Sequence, residues 1–196
     1  MQQAFINAFL YPSFTCMGKS LLPLTLGHLF ILDIVKSPFA IGGDIGIDDL
    51  LTAIFICSND WKSNVDYLNN QKEMAYQIAL WSKQLYTKKL FHKKPSVNFE
   101  YELAIFRQYI NYFSVFPRRW ETEGMKKPSK LPWQVSVMFM LTPKWNEQDL
   151  WNMPITKVMA LVACYETSQG DNNLASEAEA ELLDKWALED KGNDNG

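Results

Sequence analysis

The stretch that decides the fold is LTLGHLFILDIVKSPF, residues 24–39, which sets one histidine and one aspartate into an otherwise apolar run. From Thr25 the apolar positions recur at helical spacing and suit a buried helix. Ser37 and Pro38 predict its end, because a residue before proline is pushed out of the helical region of backbone space. The sequence is therefore organised around a buried helix that carries two polar side chains in need of partners.

The two polar residues in this helix, His28 and Asp33, raise the question of catalysis. Five residues of helix turn through about 500°, so the two side chains point about 140° apart and cannot form a dyad within it. The chain has one other histidine, His92, and contains no G-x-S-x-G, H-E-x-x-H or H-x-E with C-x-x-C motif. We expect His28 to be a hydrogen-bonded structural residue, with an interface, hydrolase or metal site as alternatives. We expect no enzyme activity, no catalytic residue, no metal and no cofactor.

The composition indicates one folded domain. The 196 residues are 47% hydrophobic and 14% aromatic, and no linker divides them. The longest apolar run, residues 21–35, is about 15 residues long and interrupted by polar ones, whereas a bilayer-spanning helix needs roughly 20. The first residues hold no basic cluster, so no secretory signal and no membrane association are expected. The sequence predicts a cytoplasmic protein.

The three cysteines, Cys16, Cys57 and Cys164, are widely spaced and odd in number. This pattern predicts neither a disulfide framework nor a zinc site. Cys57 and Cys164 lie in apolar helical patterns, so both are expected to be small core residues.

The periodicity predicts a mainly α-helical protein, a single compact multi-helix domain of about seven helices over residues 1–196. No convincing pair of alternating strands is found. Three parts are expected: an irregular N-terminal arm over 1–20, a core over 21–170, and an acidic C-terminal helix with a frayed tail over 171–196.

Several helix ends can be predicted from capping residues. Asp48 is expected to cap the second helix, and Ser63 to open a long helix that reaches about residue 90. Asn146 caps a short helix, Pro154 begins another that Gly170 closes, and residues 176–179 form a capping box. Residues 132–141 could be a strand, but the proline at the start favours a helix. The glycine-rich loop before Asp48 lacks the G-K-[ST] ending of a phosphate-binding loop.

Charge is unevenly distributed along the chain. The first 165 residues hold 17 basic and 13 acidic residues, and the remainder holds two basic and nine acidic, so a +4 segment precedes a −7 segment. The basic middle, residues 83–144, could bind nucleic acid by neutralising phosphates, with aromatic residues stacking on bases. The residues proposed for this alternative are Lys88, Lys89, Lys93, Lys94, Arg118 and Arg119. Solvated helix ends are the simpler interpretation, so nucleic acid is an unlikely partner.

Aromatic and methionine residues crowd the segment that contains Trp145, Trp151 and Met153. Such side chains favour protein partners when they are exposed. These three residues are the predicted contacts of a binding module, although most aromatic residues of the chain are expected in the core.

Two blocks resemble a known family. LPLTLGHLFILDIVKSPF with IDDLLTAIFICS, and WNMPITKVMALVACYETSQG with SEAEAELLD, are similar to the tail assembly chaperone-like proteins of tailed phages and prophages. The resemblance covers residues 22–60 and 145–185, and the basic middle has no counterpart in the family pattern. It implies a non-catalytic protein in the phage-bearing host cell that binds tape-measure and tail-tube proteins during virion morphogenesis. A minor virion structural protein is the related alternative.

Overall fold

Helices make up most of the structure, a computed structural model that describes residues 3–91, 98–117, 131–170, 174–176, 178–179, 181 and 183. Within these residues lie ten helices and one two-stranded sheet, so the predicted mainly α-helical class is confirmed, with more helices than the seven expected. In chain order the elements are α1 (Gln3–Asn7), β1 (Phe14–Cys16), β2 (Lys19–Leu21), α2 (Leu26–Ile34), α3 (Pro38–Ile41), α4 (Ile47–Cys57), α5 (Trp61–Asn69), α6 (Gln71–Phe91), α7 (Phe99–Phe113), α8 (Trp133–Leu141), α9 (Glu147–Trp151) and α10 (Ile155–Ser168).

The predicted end of α2 is confirmed, and its geometry is a Schellman motif. The backbone N–H of Ser37 donates to the carbonyl of Leu32 (2.8 Å), and that of Lys36 donates to the carbonyl of Asp33 (3.1 Å). Lys36 adopts the left-handed conformation that this motif requires, with φ 56°. Pro38 then begins the short α3.

The N-terminal residues are not the irregular arm that the sequence predicts. α1 is followed by a hairpin in which Phe14 pairs with Leu21. Met17 and Gly18 form its two-residue turn with φ of 47° and 74°, and two positive φ values are typical of a type I′ turn. Each strand has only three residues, too few to show alternation. The backbone N–H of Met17 donates to Oε2 of Glu102 on α7 (2.7 Å), so the hairpin is fixed by a distant helix.

The single long helix predicted to begin at Ser63 is two helices, and the first of them begins at Trp61. Asp60 caps α5, because its Oδ1 accepts the backbone N–H of Ser63 (2.8 Å). Asn70 leaves helical geometry with φ −129° and ψ 70°, and its side chain accepts the N–H of Glu73 (3.3 Å) to begin α6. Asparagine caps a new helix readily, which explains the break.

The cap predicted for α4 is also displaced. The helix begins at Ile47, with Gly46 as its N-cap, so Asp48 lies inside the first turn. Asp49 reaches back and accepts the backbone N–H of Gly46 (2.9 Å). Both carboxylates remain where the helix dipole favours negative charge.

The predictions for the C-terminal half are confirmed where the structure describes it. Residues 133–141 form a helix and not a strand, with Pro132 directly before it. Asn146 caps α9 by accepting the N–H of Gln148 (2.8 Å). α10 begins after Pro154, and Gly170 follows its end with φ 91°.

The capping box at the acidic C-terminus is confirmed as well. The backbone N–H of Ser176 donates to Oε2 of Glu179 (2.7 Å), and the N–H of Glu179 donates to Oγ of Ser176 (3.3 Å). Most of the helix and tail predicted to follow lies outside the described residues.

The chain regions before α2 and before α10 are joined by backbone hydrogen bonds. The N–H of Leu26 donates to the carbonyl of Met153 (3.2 Å), and the N–H of Ile155 donates to the carbonyl of Leu24 (2.8 Å). Around this junction lies the core, whose most deeply buried large side chains are Leu24, Leu26, Ile31, Leu32, Leu50, Ile54, Ile56, Phe106, Tyr109, Phe113, Leu150 and Ile155. None of the helices in the described ranges is both long enough and apolar enough to cross a membrane.

Candidate functional site

His28 lies at the start of α2 with both ring nitrogens hydrogen-bonded. Its Nδ1 accepts the backbone N–H of Thr25 (3.2 Å), and its own backbone N–H donates to Oγ1 of Thr25 (3.1 Å). Nε2 is 2.7 Å from the carbonyl of Asn59, so Nε2 carries the proton and donates. These reciprocal bonds form a capping box, a role that the sequence pattern of this helix does not indicate for a histidine.

Burial keeps this imidazole neutral. Only 1% of His28 is exposed, and this burial lowers its pKa from 6.5 to about 4, despite the opposing effect of its hydrogen bond to Asn59. Asp33 lies 3.6 Å from the Lys36 ammonium on the more exposed side of α2. The hydrogen-bonded structural role predicted for His28 is therefore confirmed.

The polar residues near His28 close the end of α4. Asn64 is buried and donates from Nδ2 to the carbonyls of Ile56 (2.9 Å) and Asn59 (3.1 Å). Asn59 in turn donates from Nδ2 to the carbonyl of Phe55 (2.7 Å). These carbonyls belong to or follow the last turn of the helix, where no intrahelical donor is available. The cluster thus satisfies helix-end carbonyls.

Stacked aromatic rings pack against the other side of α2. Trp61 and Trp151 stack with ring centroids 4.5 Å apart and an interplanar angle of 15°, and Phe30 stacks on Trp151 at 5.1 Å. Gly27 lies against this stack so closely that an added Cβ would be 2.6 Å from Cε3 of Trp61 and 2.8 Å from the carbonyl of Trp151. A glycine is therefore required for α2 to reach its position.

The three residues predicted to contact a partner fall in different environments. Trp151 is 4% exposed and Met153 is 6% exposed, so both are core residues, which corrects the expectation that they offer surface to a partner. Trp145 is 38% exposed, and the ammonium of Lys157 lies 5.9 Å from its ring centroid. Of the three, Trp145 alone retains substantial surface.

Two of the three cysteines are buried and one is exposed. Cys16 and Cys57 are buried, and burial is the main cause of the raised pKa of both thiols, to about 12 for Cys57. Cys164 is exposed on α10, which corrects the expectation that it packs in the core. No group of three or more His, Cys, Asp or Glu side chains that could hold a metal occurs among the described residues.

The structure describes the backbone of only two of the six basic residues of the nucleic-acid alternative. Lys88 and Lys89 lie in the last turns of α6. Lys93, Lys94, Arg118 and Arg119 lie outside the described residues. The nucleic-acid surface stays a prediction.

An apolar groove runs between the end of α2, α4 and the first half of α6. Its volume is about 640 Å³, and it is lined by Ile34, Val35, Asp48, Leu51, Thr52, Leu68, Gln71, Met74, Ala75, Ile78, Ala79 and Ser82. Ala75, Ala79 and Ser82 recur at steps of four and three on one face of α6, and both alanines are exposed. Helical periodicity alone does not show that these alanines line an opening, whereas the orientation of α6 does.

No family model, no curated protein and no solved structure matches the chain.

Proposed function

We propose that this chain is a non-catalytic assembly protein that holds an amphipathic helix of an elongated partner in the groove between α4 and α6. Following the resemblance of its two sequence blocks, we propose more specifically a phage tail assembly chaperone whose partner is the tape-measure protein. The observation that carries the proposal is the groove itself, an open apolar surface between the end of α2, α4 and α6.

The small residues of α6 suit a helical partner. Packed helices lie about 8–10 Å apart, and the lower distances require small side chains at the contact. Ala75, Ala79 and Ser82 provide such a strip along α6. Ile34, Val35 and Leu51 face it with apolar side chains, so a docked helix would bury its apolar stripe on both sides.

The charge of the groove favours a partner with a basic residue beside its apolar stripe. Asp48 is the one charged residue among the described residues that line the groove, and its side chain is exposed in the first turn of α4. A lysine or arginine on the docked helix could pair with this carboxylate at the rim, which would orient the partner more than it would strengthen binding.

The contact between the two blocks that carry the resemblance also supports one functional unit. Residues 24–26 and 153–155 are linked by two backbone hydrogen bonds and a bridge between Thr25 and Pro154. The block at 22–60 supplies α2 and α4, which form one wall of the groove. The block at 145–185 is hydrogen-bonded to the residues at the start of α2 and so helps to hold this helix in place.

The decisive experiment measures binding of a fluorescent peptide that carries one amphipathic helix of the tape-measure protein from the same phage or prophage. Ala79→Arg should weaken binding by about tenfold or more, because a charged chain would fill the groove. The matched control is Tyr76→Arg, three residues earlier on α6, where the native side chain is 57% exposed and lies outside the groove lining. It should leave affinity unchanged.

The outcomes separate the alternatives. Absence of peptide binding, or equal loss in both variants, would remove the groove as the site. Affinity for DNA or RNA that falls steeply with salt, in place of peptide binding, would favour the nucleic-acid alternative. Retention of the chain in purified virions would favour a minor structural role.

A further inference from the structure

The two helical walls of the groove, α4 and α6, differ in how firmly the rest of the protein holds them. α4 buries seven of its eleven residues. In α6, whose side chains the structure describes from Gln71 to Leu85, Met74 alone is buried. Ile78, Trp81 and Leu85 pack against the core but are only partly buried. Because resistance to local opening rises with buried apolar contact, α6 should open at a lower free energy than α4.

A single residue, Asn70, separates α5 from α6, and its φ of −129° and ψ of 70° lie outside the helical region. α5 is fixed to α4 by the Tyr67 ring, whose centroid lies 5.0 Å from that of Phe55. The buried Asn64 adds a hydrogen bond from its Nδ2 to the carbonyl of Ile56 (2.9 Å). Hinges are residues at element ends that absorb a change of backbone angles. A rotation at Asn70 would thus move α6 while α5 stays in place.

Lys19, at the start of β2, joins the two walls. Its ammonium lies 5.2 Å from the ring centroid of Phe55 on α4 and 5.0 Å from that of Trp81 on α6. Neither ring lines the groove, so the lysine connects the walls from outside it. Among the described residues no carboxylate forms an ion pair with this ammonium. Burial lowers the pKa of Lys19, and attraction to the two rings offsets part of this desolvation of the charge.

We propose that α6 is a movable wall of the groove, which turns at Asn70 and is held against α4 by the contact of Lys19 with Trp81. When this contact breaks, α6 can turn away from α4, and the groove loses one of its walls. When it forms, the apolar strip of α6 faces α4 as in the structure. The lysine thus regulates whether the groove is complete.

The consequence for partner binding rests on the proposed function. A helix in the groove would contact both walls at once, at Leu51 of α4 and Ala79 of α6. It would therefore bind the packed arrangement of α6 more tightly than the opened one, and binding would shift the equilibrium toward the packed arrangement. A bound partner and Lys19 accordingly stabilise the same position of α6.

The test is amide hydrogen exchange of the whole chain, followed by mass spectrometry. Lys19→Met keeps a long apolar side chain and removes the charge, so residues 72–85 should exchange about threefold to tenfold faster, with α4 unchanged. Lys19→Arg keeps a cation that can lie over the same rings and should exchange like the wild type. The matched control is Lys72→Met, which removes an exposed charge from α6 itself and should have no effect.

A second variant tests the contact from the other side. Trp81→Leu removes the ring on α6 and should speed exchange of this helix in the same way. Combining it with Lys19→Met should add little, because the contact is already lost in either single variant. Additive effects of the two substitutions would overturn the proposed contact, as would unchanged exchange of α6 in Lys19→Met. Equal acceleration in α4 would show general destabilisation and would also overturn it.

The peptide from the groove experiment links the movement to the site. At saturation it should restore the protection of α6 in Lys19→Met, and binding that left α6 exchanging as fast as before would contradict a wall that the partner holds. A peptide that does not bind would remove the proposed function alone. The exchange of the peptide-free variants would still decide whether Lys19 holds α6.

Discussion

The start of α2 differs from the outer sides of α6 and α8 in its contacts. Its side chains have partners within the protein, whereas theirs face solvent. Around His28, both ring nitrogens, the caps and the neighbouring asparagines have hydrogen-bond partners, and Trp61 stacks on Trp151 beside them. Along the α6 groove and at Trp133 and Phe139 of α8, apolar side chains are open to solvent. The one histidine that the structure describes is thus buried and hydrogen-bonded, whereas the open surfaces consist mainly of apolar side chains.

The largest expected effect is the difference in stability between substitution of the buried Trp151 and substitution of the exposed Trp145. Trp151→Ala removes a buried ring from the stack beneath α2 and should lower the free energy of unfolding by roughly 3–5 kcal/mol. Trp145→Ala removes a half-exposed ring with a cation at 5.9 Å and should cost about 1 kcal/mol or less. Urea denaturation of both variants measures the difference.

A second variant keeps this comparison interpretable if Trp151→Ala does not fold. Trp151→Phe keeps an aromatic ring at the site and should cost less than the alanine variant. If Trp145→Ala were as destabilising as Trp151→Ala, the assignment of Trp145 to the surface would be contradicted.

The second expected effect is a loss of stability in acid that depends on His28. The folded chain favours the neutral ring, with a pKa of about 4, whereas the unfolded chain takes up a proton near pH 6.5. Stability is therefore full above about pH 6.5 and falls as the pH drops toward 4, by about 1.4 kcal/mol per pH unit and roughly 3 kcal/mol in all.

His28→Gln is the matched variant, since glutamine can keep the capping box with Thr25 but does not titrate. The difference in unfolding free energy between wild type and variant should shrink between pH 6.5 and 4. Asp60 also has a lowered pKa, mainly through its hydrogen bonds from Ser63, but its contribution is lost below its ordinary value of 3.8. Parallel pH profiles for wild type and variant would contradict the neutral buried imidazole.

Features that depend on neighbouring residues could be predicted from the sequence. Asn146, Pro154 and Gly170 bound their helices as expected, because the cap atoms and backbone angles involved lie within a few residues of one another. The structural role of His28 also followed, since its angular separation from Asp33 excludes a dyad within one helix.

Features that depend on distant contacts could not be predicted. The hairpin turn at Met17 is fixed by Glu102, which is 85 residues away in the chain. Ala79 lines a groove because α6 is turned at Asn70, and periodicity alone does not show which apolar face is covered. The partition of Trp151 into the core and Trp145 onto the surface likewise depends on stacking with Trp61.

The smallest expected effect lies at the end of α2, where the closed region meets the groove. Lys36 holds the left-handed position of the Schellman motif directly after Val35, which lines the groove. The left-handed conformation costs a residue with a side chain about 1–2 kcal/mol, and glycine's greater freedom in the unfolded chain offsets part of that gain. Lys36→Gly should therefore raise the unfolding free energy by roughly 0.5–1 kcal/mol.

Lys36→Ala separates backbone strain from charge at the same position. It keeps the positive φ and removes the exposed ion pair with Asp33, which is worth about 0–1 kcal/mol, so stability should stay level or fall slightly. A stabilised alanine variant would show that charge, not backbone conformation, limits this turn. If glycine stabilises and alanine does not, the Schellman turn fixes where α2 leaves the core, and hence where Ile34 and Val35 begin the wall of the groove. The closed region at His28 and the groove wall at Ile34 and Val35 then belong to one helix and its cap, which the left-handed Lys36 ends.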